Sequence, residues 1–221
     1  MLFYRVARSA VTAVCRVLWR VRLVGTENLP RAGGFVLAPS HRSMMDIPFA
    51  AVVTSRRIRF MGKKSLFGVP VIGPIFRWLG GFPVARDGTD RKAVRDSVEM
   101  LKAGEVLCVY PEGTRQHGPK IQPLQPGAAY LALRAGVPIV PIGLAGTEEI
   151  LRTKRDPIPR FGRVAIVVGA PITPEPLSGG LVPRDRVDAL TARLADELQF
   201  VFDDAYELRE RGRPGSRPLA P

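Results

Sequence analysis

Short apolar runs at residues 35–38, 58–61, 82–84, 106–110, 139–143 and 164–168 punctuate this chain, and each is too brief to be a helix. Runs of that length read as buried strands, and what lies between them is helical. Residues 47–53 follow Asp46 as an apolar helix. Residues 89–101 open on Thr89 and Asp90, space Ala93, Val94, Val98 and Leu101 along one face, and end shortly before Gly104. Residues 125–135 make a further helix closed by Gly136, and 183–209 a long amphipathic one. Strands alternating with helices predict an α/β fold, with a mixed, largely parallel sheet flanked by helices. A chain of 221 residues supports one such core. The expected organisation is a helix at 1–20, a single domain at 21–209 that begins with a short strand at 21–25 and a turn at 27–30, and a disordered Arg- and Pro-rich tail at 210–221.

The first twenty residues carry a second signal. At helical spacing, Arg5, Arg8, Ser9, Thr12, Arg16 and Arg20 gather on one side, and Phe3, Val6, Ala10, Val11, Val14, Val17 and Leu18 on the other. Arginines throughout the segment argue against a signal peptide or a spanning helix. A helix lying in a membrane interface fits, with Tyr4 and Trp19 near its polar boundary and arginines on anionic head groups. A helix packed on its own domain is the other reading of the same pattern.

The 33 basic against 20 acidic residues leave a net charge of +13, which points to an anionic partner: a polyanion, an anionic membrane or a phosphorylated substrate. Cys15 and Cys108 stand apart without a partner motif, and His41 and His117 are not at metal-ligand spacing, so a reduced, metal-free protein without a cofactor is expected.

His41-Arg42-Ser43-Met44-Met45-Asp46 follows directly on the apolar run 35–38, and Pro111-Glu112-Gly113-Thr114-Arg115 directly on the run 106–110. Both therefore sit past strand ends, where open α/β sheets bind ligands. Five residues do not bring two side chains onto one helix face, so His41 and Asp46 straddle a turn. An Asp46 carboxylate folded back on the ring fixes its tautomer and leaves one nitrogen free to accept a proton. Gly113 permits a tight turn, Thr114 offers a hydroxyl, and Arg115 a forked contact to phosphate. Arg86, after the run 82–84, supplies a second arginine for a phosphate clamp, or else a salt bridge with Asp87 or Asp90. Lys63 and Lys64, after 58–61, are weaker candidates of the same kind. Ser43 is too close to His41 on one turn to serve as a nucleophile, and it lacks a nucleophile elbow. Cys108 reads as an inert buried thiol and His117 as a surface residue.

These blocks, in order His41 to Asp46, Gly81 to Arg86, Pro111 to Arg115 and Val137-Pro138-Ile139-Val140-Pro141, resemble the four blocks of the glycerophospholipid acyltransferases, in particular bacterial members that acylate 1-acyl-sn-glycerol-3-phosphate. The resemblance spans roughly residues 21–168. It implies His41 as general base and Asp46 as its orienting partner. It also implies Arg86, Glu112, Gly113 and Arg115 around the glycerol phosphate, Lys63 as an additional phosphate contact, and the fourth block near the acyl donor. Val84 and Ala85 depart from the second block, which more often carries a bulky apolar and an acidic residue before its arginine, so the acceptor is less defined than the reaction.

The reaction implied is direct acyl transfer from an acyl-coenzyme A or acyl carrier protein thioester to the free hydroxyl of a lysophospholipid, with no covalent enzyme intermediate. Backbone amides near Gly113 or in the His41 turn are the suggested donors to the carbonyl oxygen. Other lysolipid acceptors remain compatible. The expected location is the cytoplasmic face of the plasma membrane, held peripherally or monotopically. A basic nucleic-acid-binding protein is the rival of another class. It accounts for the charge alone, because no zinc-finger spacing or RNP-type aromatic strand is present.

Overall fold

All of Phe35, Val36, Leu37 and Ala38 are fully buried, because this strand has a helical layer on each face. The structure, a computed structural model, describes residues 2–70, 72–84, 91–151, 158–177 and 181–211. Its sheet has seven strands in the order β1-β7-β6-β2-β5-β3-β4, which places β2 (Phe35–Pro39) at the centre. The others are β1 (Arg22–Val24), β3 (Ile58–Lys63), β4 (Gly81–Val84), β5 (Val106–Cys108), β6 (Ile139–Ala145) and β7 (Ala165–Val168). All neighbouring pairs are parallel except β6 with β7. This is the mixed, largely parallel sheet that the alternating pattern predicts.

Side chains alternate across a strand, so β2 contributes to two cores. Phe35 and Leu37 pack with Cys15 and Trp19 of α1 (Leu2–Trp19) and with Phe49 and Ala50 of α2 (Asp46–Val53). Val36 and Ala38 pack with Leu101 of α4 (Arg91–Lys102), Ala129 and Ala132 of α5 (Gly127–Ala135) and Leu194 of α7 (Arg184–Glu210). Gly136 ends α5 in the left-handed conformation (φ 68°), its amide donating to Ala132 and Leu133 carbonyls. Gly143 lets α7 lie against β6: a Cβ there would stand 1.9 Å from the Val201 carbonyl oxygen. Two short helices, α3 (Ile72–Trp78) and α6 (Thr147–Ile150), leave no periodic signal in the sequence because neither is long enough to repeat a face.

The amino-terminal helix departs in part from expectation. Tyr4 and Trp19 are not at a polar boundary but buried in the domain. The Ile58 amide donates to the Tyr4 hydroxyl (3.0 Å), and the Trp19 indole donates to the Arg160 carbonyl (2.7 Å). Tyr4, Val11, Thr12, Cys15 and Trp19 form the docked stripe, while Val6, Val14, Val17 and Leu18 stay exposed. The apolar side of the helix is thus wider than one neighbour can cover. The run 106–110 also leaves the sheet early. The Val109 amide still donates to Leu37 (2.9 Å), but Tyr110 turns away to cover the ring of His41. Residues 212–221, most of the expected tail, lie outside the described residues.

Candidate active site

Five parallel strands, β6, β2, β5, β3 and β4, end at one edge of the sheet, and β5 and β6 lie on opposite sides of β2. That reversal of strand order is the switch point at which α/β sheets open a crevice. His41 lies just past β2, and residues 110–116 just past β5.

Asp46 begins α2 and folds back over the turn. Its Oδ2 accepts from His41 Nδ1 (2.8 Å) and from the amides of Arg42 (2.7 Å) and Ser43 (2.8 Å). Its Oδ1 accepts from the hydroxyl of Thr147 (2.5 Å), at the start of α6. The carboxylate is completely buried, and four donors replace its lost water. With Nδ1 held, His41 presents Nε2, which has no hydrogen-bond partner among the described residues, and the side chain keeps 16% of its surface in solvent. Tyr110 stacks on the imidazole at 4.2 Å between centroids and 29° between planes. Burial pushes the Tyr110 phenol well above its ordinary range and the Cys108 thiol likewise, so both stay neutral beside Asp46.

On the other side of the turn, Glu112 is turned inward. Its Oε1 accepts from the His41 amide (2.9 Å) and its Oε2 from the Gln122 amide (3.2 Å), while Arg42 Nη1 donates to both oxygens (2.9 and 2.8 Å). Arg42 also donates to the carbonyls of His41 (3.2 Å) and Lys120 (3.1 Å), with its guanidinium 4.5 Å from the centroid of Phe202. The two side chains expose only 1% and 0% of their surface. Glu112 therefore braces the histidine turn and does not line an open phosphate site.

Gly113 takes a left-handed turn (φ 73°), and Gly113 and Thr114 are exposed. Their amides donate to the carbonyls of Tyr110 (3.0 Å) and Glu112 (2.8 Å). The amides of His41, Arg42 and Ser43 are engaged as well, whereas those of Met44 and Arg115 have no hydrogen-bond partner among the described residues. Arg115 is half-buried and has no ion-pair or hydrogen-bond partner among the described residues, and its neighbour Gln116 donates its amide to the His41 carbonyl (2.9 Å). Arg115 is thus a free cation beside the imidazole turn. Lys63 is the last residue of β3, paired in register with Val84 at the same sheet edge. Arg86 lies outside the described residues, and β4 ends at Val84. Ser43 is buried, its Oγ accepting from the Met45 amide (3.3 Å). His117 is exposed in its loop.

Sequence reasoning assigned no role to Arg42, Tyr110 or Thr147. Arg42 sits inside the first block and Tyr110 directly before the third, but a buried arginine and a stacking tyrosine look like any others in sequence. Thr147 stands far along the chain, and only the parallel pairing of β2 with β6 brings it to Asp46.

Residues 20–145, more than half of the chain, match the protein-family model described as Acyltransferase. The chain belongs to the acyltransferase family. A 1-acyl-sn-glycerol-3-phosphate acyltransferase of Bacillus subtilis is 26% identical over 200 residues, which covers 89% of this chain and 95% of the relative. A chloroplastic 1-acyl-sn-glycerol-3-phosphate acyltransferase of Brassica napus is 31% identical over 157 residues, covering 70% of this chain but only 45% of the relative, so the chain spans about half of that longer protein. The crystal structure of the 1-acyl-sn-glycerophosphate acyltransferase of Thermotoga maritima superposes with a TM-score of 0.74 at 24% identity, over 96% of this chain and 83% of that one. The family fold is therefore shared across nearly the whole chain. His41, Asp46, Glu112 and Arg115 all fall within the matched segment, and Thr147 lies just beyond it.

Proposed function

We propose that this acyltransferase transfers a fatty acyl group from a thioester of coenzyme A or acyl carrier protein to the free hydroxyl of 1-acyl-sn-glycerol-3-phosphate, giving phosphatidic acid. The observation that carries the reading is an imidazole held at Nδ1 by a buried carboxylate, beside an arginine; among the described residues Nε2 has no hydrogen-bond partner and the arginine no anion.

His41 Nε2 takes the proton of the acceptor hydroxyl as its oxygen attacks the thioester carbonyl. Asp46 stabilises the imidazolium that forms. Collapse breaks the carbon–sulfur bond, the new ester forms, and the leaving thiolate recovers the proton from His41. General-base help of this kind contributes roughly 10²–10⁴-fold, and holding the two substrates together contributes more. Arg115 neutralises the acceptor phosphate through forked donors, with Lys63 and Arg86 as further cations in this reading and Gly113 and Thr114 shaping the turn. Glu112 acts through His41 and Arg42 as a positioning residue.

The substrates are lipids, and α1 supports an anionic membrane surface as partner. Val17 is 75% exposed, beside Val6, Val14 and Leu18, with Arg5, Arg16 and Arg20 also exposed. The loop that receives the Trp19 indole adds Phe161, 82% exposed, and Ile158. Apolar side chains interleaved with arginines suit the head-group region. Among the described residues no helix is long and apolar enough to cross a membrane. The attachment in this reading is peripheral or monotopic, and the cytoplasmic face is proposed from the substrates.

The test is release of free thiol from acyl-coenzyme A by purified protein in mixed micelles, with and without 1-acyl-sn-glycerol-3-phosphate. Acceptor-dependent release that His41→Ala abolishes is the expected outcome. Acceptor-independent release would instead make the protein a thioesterase. If release is absent with coenzyme A, acyl carrier protein thioesters are assayed in the same way; inactivity with both donors overturns the reading.

A further inference from the structure

We infer that Thr147 is a positioning residue for catalysis, and that its hydroxyl fixes the rotation of the Asp46 carboxylate so that His41 keeps its proton on Nδ1. This rests on the reading of His41 as the general base.

Thr147 Oγ1 donates to Asp46 Oδ1 at 2.5 Å, and both residues are fully buried. The other three donors to this carboxylate, His41 Nδ1 and the amides of Arg42 and Ser43, all converge on Oδ2. Among the described residues, Thr147 is therefore the sole donor on the far oxygen. Without it Oδ1 is a bare charge in a dry site, a costly condition that the side chain relieves by turning toward another donor. Any such turn pulls Oδ2 off the imidazole. The ring then loses the bond that distinguishes its two tautomers, and Nε2 is no longer reliably the unprotonated nitrogen.

Among the described residues no other donor bonds Asp46 Oδ1. From β5 and the turn beyond it come Cys108 and Tyr110, both kept neutral by burial, with Tyr110 stacked on the ring. Glu112 and Arg42 face the turn from the other side but satisfy one another. Glu148, next to Thr147 on α6, accepts from the Tyr206 hydroxyl (2.7 Å). Thr147 reaches the site because β6 lies beside β2 and Gly146 breaks the strand in a left-handed turn (φ 93°), which sets the threonine at the head of α6. The junction after β6 thus becomes part of the catalytic constellation.

Thr147→Val keeps the shape and removes the donor, whereas Thr147→Ser keeps the donor and removes a methyl. The expected result is a fall in kcat of about tenfold or more for Thr147→Val, the scale of a lost hydrogen bond to a charged group. KM for both substrates stays within about twofold, since neither substrate is touched. Thr147→Ser restores most of the rate. Nitrogen-15 spectra of the imidazoles give an independent readout, and with only two histidines in the chain His117→Gln assigns the signals. His41 should be a single Nδ1-protonated tautomer in the parent and in Thr147→Ser, and a mixture in Thr147→Val. An unmixed tautomer with normal kcat in Thr147→Val overturns the inference, as does loss of activity in Thr147→Ser equal to that in Thr147→Val. If Thr147→Val does not fold, the serine variant decides by the same two readouts: a parent-like tautomer and rate support the role of the hydroxyl, and a mixed tautomer refutes it. His41→Ala is measured alongside. Retained activity there removes the base reading itself, whereas a silent Thr147→Val with an inactive His41→Ala removes only the role of Thr147.

Discussion

Replacing Glu112 by alanine separates two roles that one position in the third block can have. As a substrate contact, Glu112 would matter to the affinity for the acceptor and little to stability. As the brace seen in the structure, it accepts from the His41 and Gln122 amides and holds the Arg42 guanidinium in a fully desolvated pair. Glu112→Ala strands that guanidinium without an anion. Breaking a buried pair from one side costs about 3–5 kcal/mol, because the remaining charge is left uncompensated. For a domain of this length, a kilocalorie per mole moves the melting temperature by about 2–4 °C, so a drop of roughly 6–20 °C is expected. Glu112→Gln retains an acceptor for the His41 amide and loses the charge, so it should fall between alanine and the parent. The assay is thermal unfolding followed by circular dichroism, alongside kcat and KM on whatever variant stays folded at the assay temperature. Activity should fall through kcat, since the His41 turn is loosened. A melting temperature unchanged in Glu112→Ala, together with a raised KM for the lysolipid alone, would refute the brace.

Arg115→Ala should raise KM for the phosphate-bearing acceptor at least tenfold and leave the thioester KM near the parent value, as steady-state kinetics with each substrate varied in turn will read. At the membrane, Val17→Asp and Phe161→Asp should each weaken sedimentation with anionic vesicles without changing the melting temperature, because both side chains are largely exposed. A response to alkaline pH follows from Cys15, whose burial pushes its thiol from the ordinary 9.0 up to about 11. The unfolded chain ionises first, so the stabilising contribution is complete below pH 9.0 and is lost as pH rises towards about 11. The melting temperature should fall through that window, less steeply in Cys15→Ala than in the parent.

Much of the fold is legible in the sequence because short apolar runs and capped helices are local signals. Residues 35–38 read as a buried strand, which the structure sets at the centre of the sheet, and 89–101 as a helix that the structure bounds at Arg91–Lys102. The helices α3 and α6 escape because one or two turns carry no period. The amino-terminal helix shows where amphipathicity fails as a guide: its apolar side exceeds what one neighbour covers, and only packing decides that Tyr4 and Trp19 go inward while Val17 stays out. The pairing of His41 with Asp46 is legible from a strand end followed by a turn. The direction of Glu112 is not, because a carboxylate aimed at solvent and one aimed at a buried arginine have the same local sequence.

Two buried carboxylates therefore grip the His41 turn from opposite sides, and each belongs to a different part of the chain. Asp46 fixes the ring and Glu112 the backbone amide of the same residue. Gln116 adds a third restraint by donating to the His41 carbonyl, so the amide, carbonyl and side chain of one residue are all held by contacts beyond its own strand. A base held at its ring alone could swing with the loop that carries it, and one held at its backbone alone could rotate about its side-chain torsions. Holding both leaves the position of Nε2 determined by β5, α2 and α6 together. The same arrangement makes the imidazole sensitive to distant changes: a substitution that shifts β6 against β2 moves Thr147, then Asp46, then the ring, without touching either substrate.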